Sequence, residues 1–390
     1  MSLARETLPQ ATAVEARRSL TLAASALGLE LIDNISVIPS FLLVPGAAAQ
    51  GGAVPAVLLF ATWHAESAPV VPAAVEGAER MALAVTLAGL AEARARWTGP
   101  EPAPSVAVVV HPSAGQGSRA LSELLNQHRE RIQAPAAFWT RIQPDSPRRR
   151  RVYLGARGRV VLGLWGGDAN PYRVRDALIE QLREEAYGPR PLDFELLRKL
   201  GQSREALDFL EETLDDPGAV AGEGEERLKR ALFEPRGQVV TSAVAHPDRP
   251  RAWLIMEGAE SMDPSELLRR AREMAKGSTV EMAEGYLWDR LNIHHPSIQA
   301  EIGLSKSVSE GAEIWPMAPW VTPSGIFTRS LGTPLAEWGI PNPAGSSVRF
   351  PKPEAFETVA REVAELITRC ARGLIEPRGA GPGHRSSPAL

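Results

Sequence analysis

A histidine and an acidic residue stand two positions apart just after a short apolar run. The run Val57–Ala61 is followed by Thr62-Trp63 and then by His64 and Glu66. A buried strand that delivers a His-x-acid pair at its C-terminal end places those groups where open α/β sheets bind ligands and carry out catalysis. The spacing therefore points to ligand binding or metal chemistry at this strand end.

Four side chains of metal-ligating types lie near predicted strand ends or at the start of the helix beyond one of them. They are His64, Glu66, Glu79 and His111. Such a set could hold a single zinc ion through His64, Glu79 and His111, with Glu66 as the catalytic carboxylate. The residues leave open an alternative, in which His64 and His111 are hydrogen-bonded polar groups that line a cleft.

The elements that must position these side chains alternate in type along the chain. Apolar runs typical of buried strands are separated by helical patterns, which is the order of a doubly wound α/β fold. The predicted strands are Leu29–Ile32, Val37–Val44, Val57–Ala61, Val106–Val110 and Ala136–Ile142, and the predicted helices between and before them are Val14–Leu27, Glu76–Trp97 and Ser118–Arg131. We expect a mostly parallel mixed sheet flanked by helices.

A change in composition at Pro144–Arg151 indicates a boundary within the chain. The residues beyond it spell one long strand, Val152–Trp165, then helix, two strands, helix and strand, which predicts an inserted α+β lid domain. The predicted boundaries are 1–150 and 285–375 for the main domain, 151–284 for the lid, and 376–390 for a disordered Gly-, Pro- and Ser-rich tail. The four-arginine run Arg148–Arg151 is interpreted as a solvated turn before the long strand.

Composition limits the class of protein. The 390 residues carry a net charge of -4, with 44% hydrophobic and 23% charged residues, an ordinary globular balance that gives no case for nucleic acid. The single cysteine, Cys370, excludes an internal disulfide, and its apolar helical setting predicts a buried structural thiol. No apolar run approaches the roughly 20 residues of a membrane helix, and no signal peptide is evident. We expect a cytoplasmic protein without a membrane partner.

Several segments, taken in order, resemble one enzyme superfamily. Leu58 to Pro69 is similar to an apolar strand followed by Gly-His-x-Asp, and Gly155-Ala156-Arg157-Gly158 is similar to an Arg-Gly entry into a lid domain. Both are features of the co-catalytic zinc exopeptidases, which include aminoacylases, carboxypeptidase G-type enzymes and desuccinylases, with the zinc aminopeptidases as lidless relatives. The resemblance spans residues 14–375 and rests on order and spacing. It implies the same α/β fold with a lid, and a homodimer.

The resemblance also implies where ligands of two zinc ions should stand, and several of those positions have changed. His64 remains a ligand of the first zinc, and Glu66 replaces the family's Asp. Arg80 occupies the bridging-Asp position, and its guanidinium cannot ligate a cation and would repel one. Pro112-Ser113 replaces the Glu pair, which removes a ligand and the general base.

The remaining cleft positions are filled by neutral or basic side chains. Gln143 offers an amide where the next carboxylate would fall. Arg349 stands near the place of the last His, although Asn342 is close enough in sequence to leave that alignment open. Trp320, in a proline-rich aromatic loop, could line a ligand pocket or pack against the lid. The predicted ligand cleft therefore comprises Arg80, Ser113, Gln143, Trp320, Asn342 and Arg349.

Two functions follow from these substitutions. The first is a catalytically degenerate homologue that binds a peptide-like or acyl-amino-acid ligand, or a partner protein, without di-zinc hydrolysis. The second is an active amidohydrolase or peptidase with a rearranged, single-zinc site. We favour the first, because the general base and the bridging ligand are lost together. The expected cofactor is accordingly none or a single zinc.

Overall fold

The computed structural model describes most of the chain. The described residues are 3–34, 40–46, 55–63, 73–98, 103–112, 118–144, 149–185, 189–214, 220–241, 250–258, 263–342 and 353–375. Within them the backbone alone is described at 3–13, 34, 73–79, 118, 142–144, 340–342, 353–355 and 373–375.

A six-stranded mixed sheet forms the centre of the molecule. Its order is β1-β2-β4-β3-β5-β14, in which β4, β3, β5 and β14 run parallel and β2 is antiparallel to both of its neighbours. The strands are β1 (Leu29–Asn34), β2 (Ser40–Pro45), β3 (Val57–Thr62), β4 (Val106–His111), β5 (Ala137–Pro144) and β14 (Leu335–Asn342). Every residue of β2, β3 and β4 is buried, as expected for apolar runs covered on both faces. The predicted mostly parallel sheet is confirmed.

Helices cover both faces of this sheet, because successive strand side chains point to opposite sides. Leu59 and Val108 pack on the face that α2 and α12 cover, whereas Leu58 and Val109 pack on the face that α3 and α11 cover. The helices of this part of the chain are α1 (Leu3–Ala26), α2 (Ala73–Arg96), α3 (Ser118–Gln127), α4 (Arg129–Ile132), α10 (Pro296–Val308), α11 (Ser324–Leu331) and α12 (Pro353–Ile375).

A second, antiparallel sheet lies between β5 and α10 in the sequence. Its order is β11-β8-β10-β9, and one face packs against α5 and α9 through residues such as Leu162, Leu178 and Leu267. The elements are β8 (Gly158–Trp165), α5 (Pro171–Glu185), β9 (Arg236–Thr241), β10 (Ala252–Gly258), α9 (Pro264–Met274) and β11 (Thr279–Tyr286). This is the α+β unit expected of a lid, and the boundaries drawn for it from the sequence stay a prediction.

Three helices between α5 and β9 form a small core of their own. They are α6 (Pro191–Gly201), α7 (Arg204–Thr213) and α8 (Gly224–Phe233). Phe209 of α7 packs edge-to-face on Trp315, with ring centroids 5.3 Å apart, and Tyr153 lies in the same cluster. Trp315 is fully buried there, so it serves packing and not the cleft.

The single long strand predicted over Val152–Trp165 is wrong. The chain changes partners at Leu154 and Arg157, and the three pieces join three different sheets. They are β6 (Arg150–Tyr153), which pairs in parallel with β13 (Ala312–Trp315), β7 (Gly155–Ala156), which pairs with β12 (Asp289–Arg290), and β8. Periodicity alone does not reveal such a change of partner, because the residues of all three pieces are largely buried and read as one extended run.

The interpretation of the arginine run as a solvated turn is wrong for its last two members. Arg150 and Arg151 lie in β6 and are only 8% and 5% exposed. Arg150 Nη2 donates to both carboxylate oxygens of Glu362 at 2.8 and 2.6 Å, and Arg151 Nε donates to Glu313 at 3.0 Å. Burial of the two guanidinium groups is tolerated because each has a buried carboxylate partner.

Two other sequence predictions concern the single cysteine and the lack of membrane-spanning helices. Cys370 is buried on α12, and burial, with the nearby Glu301, raises the pKa of its thiol to about 12, which makes it an inert structural group. Within the described residues, no helix has both the length and the apolar character that crossing a bilayer requires.

Candidate functional site

The carboxyl ends of four parallel strands meet at one edge of the central sheet. Thr62 at the end of β3 pairs with His111 at the end of β4, and the backbone N–H of Trp63 donates to the carbonyl of His111 at 2.9 Å. On the other side of β3, Gln143 of β5 pairs with Pro341 of β14. This edge is where a doubly wound sheet binds its ligands.

Some of the predicted cleft residues lie outside the described residues, and others are described only in their backbone. His64, Glu66, Ser113 and Arg349 lie outside the described residues, and so their assigned roles stay predictions. Glu79, Gln143 and Asn342 are described only in their backbone. Pro144, next to Gln143, pairs with Asn342, so the structure brings these two predicted cleft positions together at the ends of β5 and β14.

His111 and Arg80 are the two charged or titratable residues of the prediction whose side chains are described. His111 is fully buried and lies on the same face of β4 as Val109, between β3 and β2. Arg80 is exposed on α2. The imidazole of His111 is therefore buried at the end of β4, whereas Arg80 is exposed on α2.

Trp320 contacts both Glu337 of β14 and Tyr153 of β6. It is half-buried, and its Nε1–H donates to Glu337 Oε2 at 3.0 Å. Its ring packs edge-to-face on Tyr153, with centroids 5.0 Å apart. Trp320 therefore packs against β6, and the hydrogen bond to Glu337 of β14 also holds the indole beside the sheet edge, while its place in a ligand cleft stays a prediction.

Arg141, which the sequence interpretation missed, is the most distinctive side chain at this edge. Its guanidinium carbon lies 4.8 Å from the Trp139 ring centroid and 4.6 Å from the Trp320 ring centroid. A Nη1 atom lies 3.6 Å from Glu337 Oε2. The one local signal was the Trp139-x-Arg141 spacing, which puts both side chains on one face of β5. The other two partners are distant in sequence.

A fully buried carboxyl lies near this network. Glu301 of α10 is 0% exposed, and burial together with the adjacent charge of Glu337 raises its pKa well above the ordinary value. Neither of its oxygens has a hydrogen-bond partner among the described residues. Burial and the neighbouring carboxylate thus both favour the protonated form of Glu301.

Ser324, Asp289 and His295 make contacts that hold secondary-structure elements together. The Ser324 hydroxyl donates to Asp289 at 2.5 Å, and Thr328 donates to the same carboxylate at 2.8 Å, which ties α11 to β12. His295 Nδ1 accepts from the N–H of Ser297 and caps α10. His295 therefore has a structural role as a helix cap.

The described part of the chain contains no cluster of three or more His, Cys, Asp and Glu side chains that could hold a metal ion. His111 is the one predicted metal ligand whose side chain is described, and a lone imidazole does not complete a zinc site. A zinc ion would need His64, Glu66 or Glu79 in addition, and these contribute the donor types that zinc prefers.

Comparisons with known proteins identify the fold. No protein-family model matches the chain, and no curated protein matches it by sequence. Among solved structures, an M20 family metallo-carboxypeptidase from Sulfolobus solfataricus has a TM-score of 0.62 at 14% identity, over 92% of this chain and 95% of that one. A di-peptidase from Saccharomyces cerevisiae has a TM-score of 0.66 at 12% identity, over 93% and 91%. Human carnosine dipeptidase 1 has a TM-score of 0.64 at 11% identity, over 95% and 93%.

Proposed function

On this metallopeptidase fold, we propose that the chain is a degenerate homologue that binds a peptide-like or acyl-amino-acid ligand without di-zinc hydrolysis. One observation carries the proposal. β4 ends at His111 beside the end of β3, and the next residue is the buried Pro112. By resemblance a Glu pair would begin there, and a proline offers neither a metal ligand nor a general base.

The position of Arg80 supports the same proposal. In the resemblance it takes the place of the carboxylate that bridges two metal ions, and a guanidinium has no lone pair to offer a metal ion. Two divalent ions would need that bridging oxygen, because the shared carboxylate offsets their mutual repulsion. A cleft without it favours binding over metal-assisted hydrolysis.

A second candidate is an amidohydrolase or peptidase with one zinc ion. The buried imidazole of His111, beside the end of β3, favours it, because His64 follows that end by two residues. His64, Glu79 and His111 would hold the ion, which would supply a Lewis acid and an activated water, with Glu66 as the proton acceptor. The two candidates differ in metal content and turnover.

Metal analysis of protein purified without chelator tests the choice. We expect less than about 0.1 zinc per chain, and no hydrolysis of dipeptides or N-acyl amino acids, if the essential ligands are absent. His64→Ala should then leave metal content and melting temperature unchanged, as should the control His294→Ala, an exposed histidine outside the cleft. Stoichiometric zinc that disappears in His64→Ala, but not in His294→Ala, would establish the single-zinc enzyme instead.

We also propose that the protein is a cytoplasmic homo-oligomer, which rests on the resemblance. Light scattering coupled to gel filtration measures the mass directly against the 42.0 kDa of one chain. A mass equal to one chain at micromolar concentration would contradict the proposal.

A further inference from the structure

Arg141 is held in a fixed plane by the two indoles. Trp139 and Trp320 have their ring centroids 4.8 and 4.6 Å from its guanidinium carbon. Trp139 is 4% exposed, and Trp320 is anchored by its bond to Glu337, so neither ring is free to turn away. Stacking of this kind stabilises the cation and immobilises a side chain that would otherwise lose much entropy on binding a ligand.

The stacking leaves the edge of the guanidinium available. Glu337 Oε2 lies 3.6 Å from Nη1, which is longer than a hydrogen bond, and that oxygen already accepts from Trp320 Nε1. The Arg141 side chain is 27% exposed, against 5% for Glu337. A planar, partly exposed guanidinium stacked between two rings matches a carboxylate, which can accept two parallel N–H bonds at its edge.

Arg141 also lies near the carboxyl end of β5, at the edge of the sheet where α/β folds of this kind bind ligands. Trp139 is the last residue of β5 that pairs with β3, opposite Phe60, and Arg141 follows it by two residues, towards the end of the sheet where β3 ends at Thr62. Thr62 in turn pairs with His111 of β4. Two inter-strand spacings thus separate Arg141 from His111, roughly 10 Å, which is the length of a short peptide or acyl amino acid.

We propose that Arg141 anchors the carboxylate of the ligand, with the indoles of Trp139 and Trp320 as the walls of the subsite. The inference deepens the proposed binding function and rests on it for the ligand class. Glu337 orients the guanidinium and Trp320 together, so it is a positioning residue. The subsite selects ligands with a free carboxylate over the matched amides.

The test measures the affinity of N-acetyl-L-phenylalanine and of N-acetyl-L-phenylalanine amide by calorimetry. The wild-type chain should bind the carboxylate about 10- to 100-fold more tightly than the amide, which corresponds to one charge-assisted pair. Arg141→Met should bind both probes equally, and Arg141→Lys should recover only part of the preference, because an ammonium cannot form two parallel bonds. Arg175→Met is the matched control: Arg175 also lies over an aromatic ring and pairs with an acidic neighbour, on α5.

Each outcome bears on one of the two proposals. A carboxylate preference that survives in Arg141→Met overturns the anchor, and so does binding of neither probe by the wild type. A preference that disappears in His64→Ala together with zinc, but persists in Arg141→Met, overturns the metal-free function as well and assigns the carboxylate to a metal. A loss in Arg141→Met with no change in His64→Ala or Arg175→Met supports both. Arginine-specific modification of Arg141, blocked by the carboxylate probe and not by the amide, provides a readout independent of folding.

Discussion

Replacement of Glu362 by glutamine should destabilise the protein more than any other single loss of charge on α12. Glu362 is 6% exposed and accepts two hydrogen bonds from Arg150, which is 9% exposed, and one from Trp338 Nε1 at 3.2 Å. Glutamine keeps an acceptor for the indole but leaves the buried guanidinium without a counter-charge. Removal of one partner of a buried pair costs about 3–5 kcal/mol, and we expect that loss in the free energy of unfolding.

The assay is urea unfolding followed by circular dichroism and tryptophan fluorescence, with coincident curves as the check on two-state behaviour. Glu365→Gln is the matched control: Glu365 pairs with Arg369 on the same helix but is 46% exposed, so its loss should cost no more than about 0.5 kcal/mol. Adding Arg150→Met to Glu362→Gln should restore part of the stability, because no buried charge then remains. If Glu362→Gln unfolds at the same urea concentration as Glu365→Gln, the argument from burial is wrong.

The remaining predictions concern a buried acid and two glycines. The raised pKa of Glu301, caused by burial and then by Glu337, means that its stabilising contribution is present at low pH and is lost as the pH rises through that pKa. Glu301→Gln should therefore gain stability over the wild type as the pH rises above the ordinary range of glutamate pKa values, and a difference independent of pH would contradict this. Gly89→Ala should lower the free energy of unfolding by about 1–3 kcal/mol in the same urea assay, because its Cβ would lie 2.6 Å from the Cβ of Val363 on the neighbouring helix α12. Gly303→Ala, which meets only the end of a flexible arginine, should instead raise it by about 0.5–1 kcal/mol; equal effects at the two glycines would refute the packing argument.

The fold was predictable where each element carried its own signal. The run Val57–Ala61 is apolar throughout because β3 is covered on both faces, and the structure extends it by one residue, to Thr62. Asp263 before Pro264 is a local signal for the start of α9, and the Asp263 side chain accepts from the first-turn backbone N–H groups of that helix. These features are local, so composition and periodicity were enough.

The features that escaped prediction depend on partners far along the chain. Arg150 bonds to a carboxylate 212 positions away and Arg151 to one 162 positions away, so a run of arginines gave no local sign that it is buried. Arg141 has the same character, since its second indole comes from a loop near residue 320. For the candidate site, the sequence placed Trp320 in the predicted cleft, which stays a prediction, whereas the position of Arg141 between two indoles emerged only from the tertiary structure.

The pairing of β7 with β12 has a consequence for how this fold can be rearranged. The segment that carries the antiparallel sheet begins after Gly155-Ala156 and ends before Asp289-Arg290, and these two stretches are hydrogen-bonded neighbours in a two-stranded sheet of their own, with Ala156 opposite Asp289. Neighbouring strands lie about 5 Å apart, so the two ends of the intervening segment can be joined by a tight turn. The segment between them therefore enters and leaves the rest of the chain at adjacent points, so that a deletion of it would need only one short turn from Ala156 to Asp289.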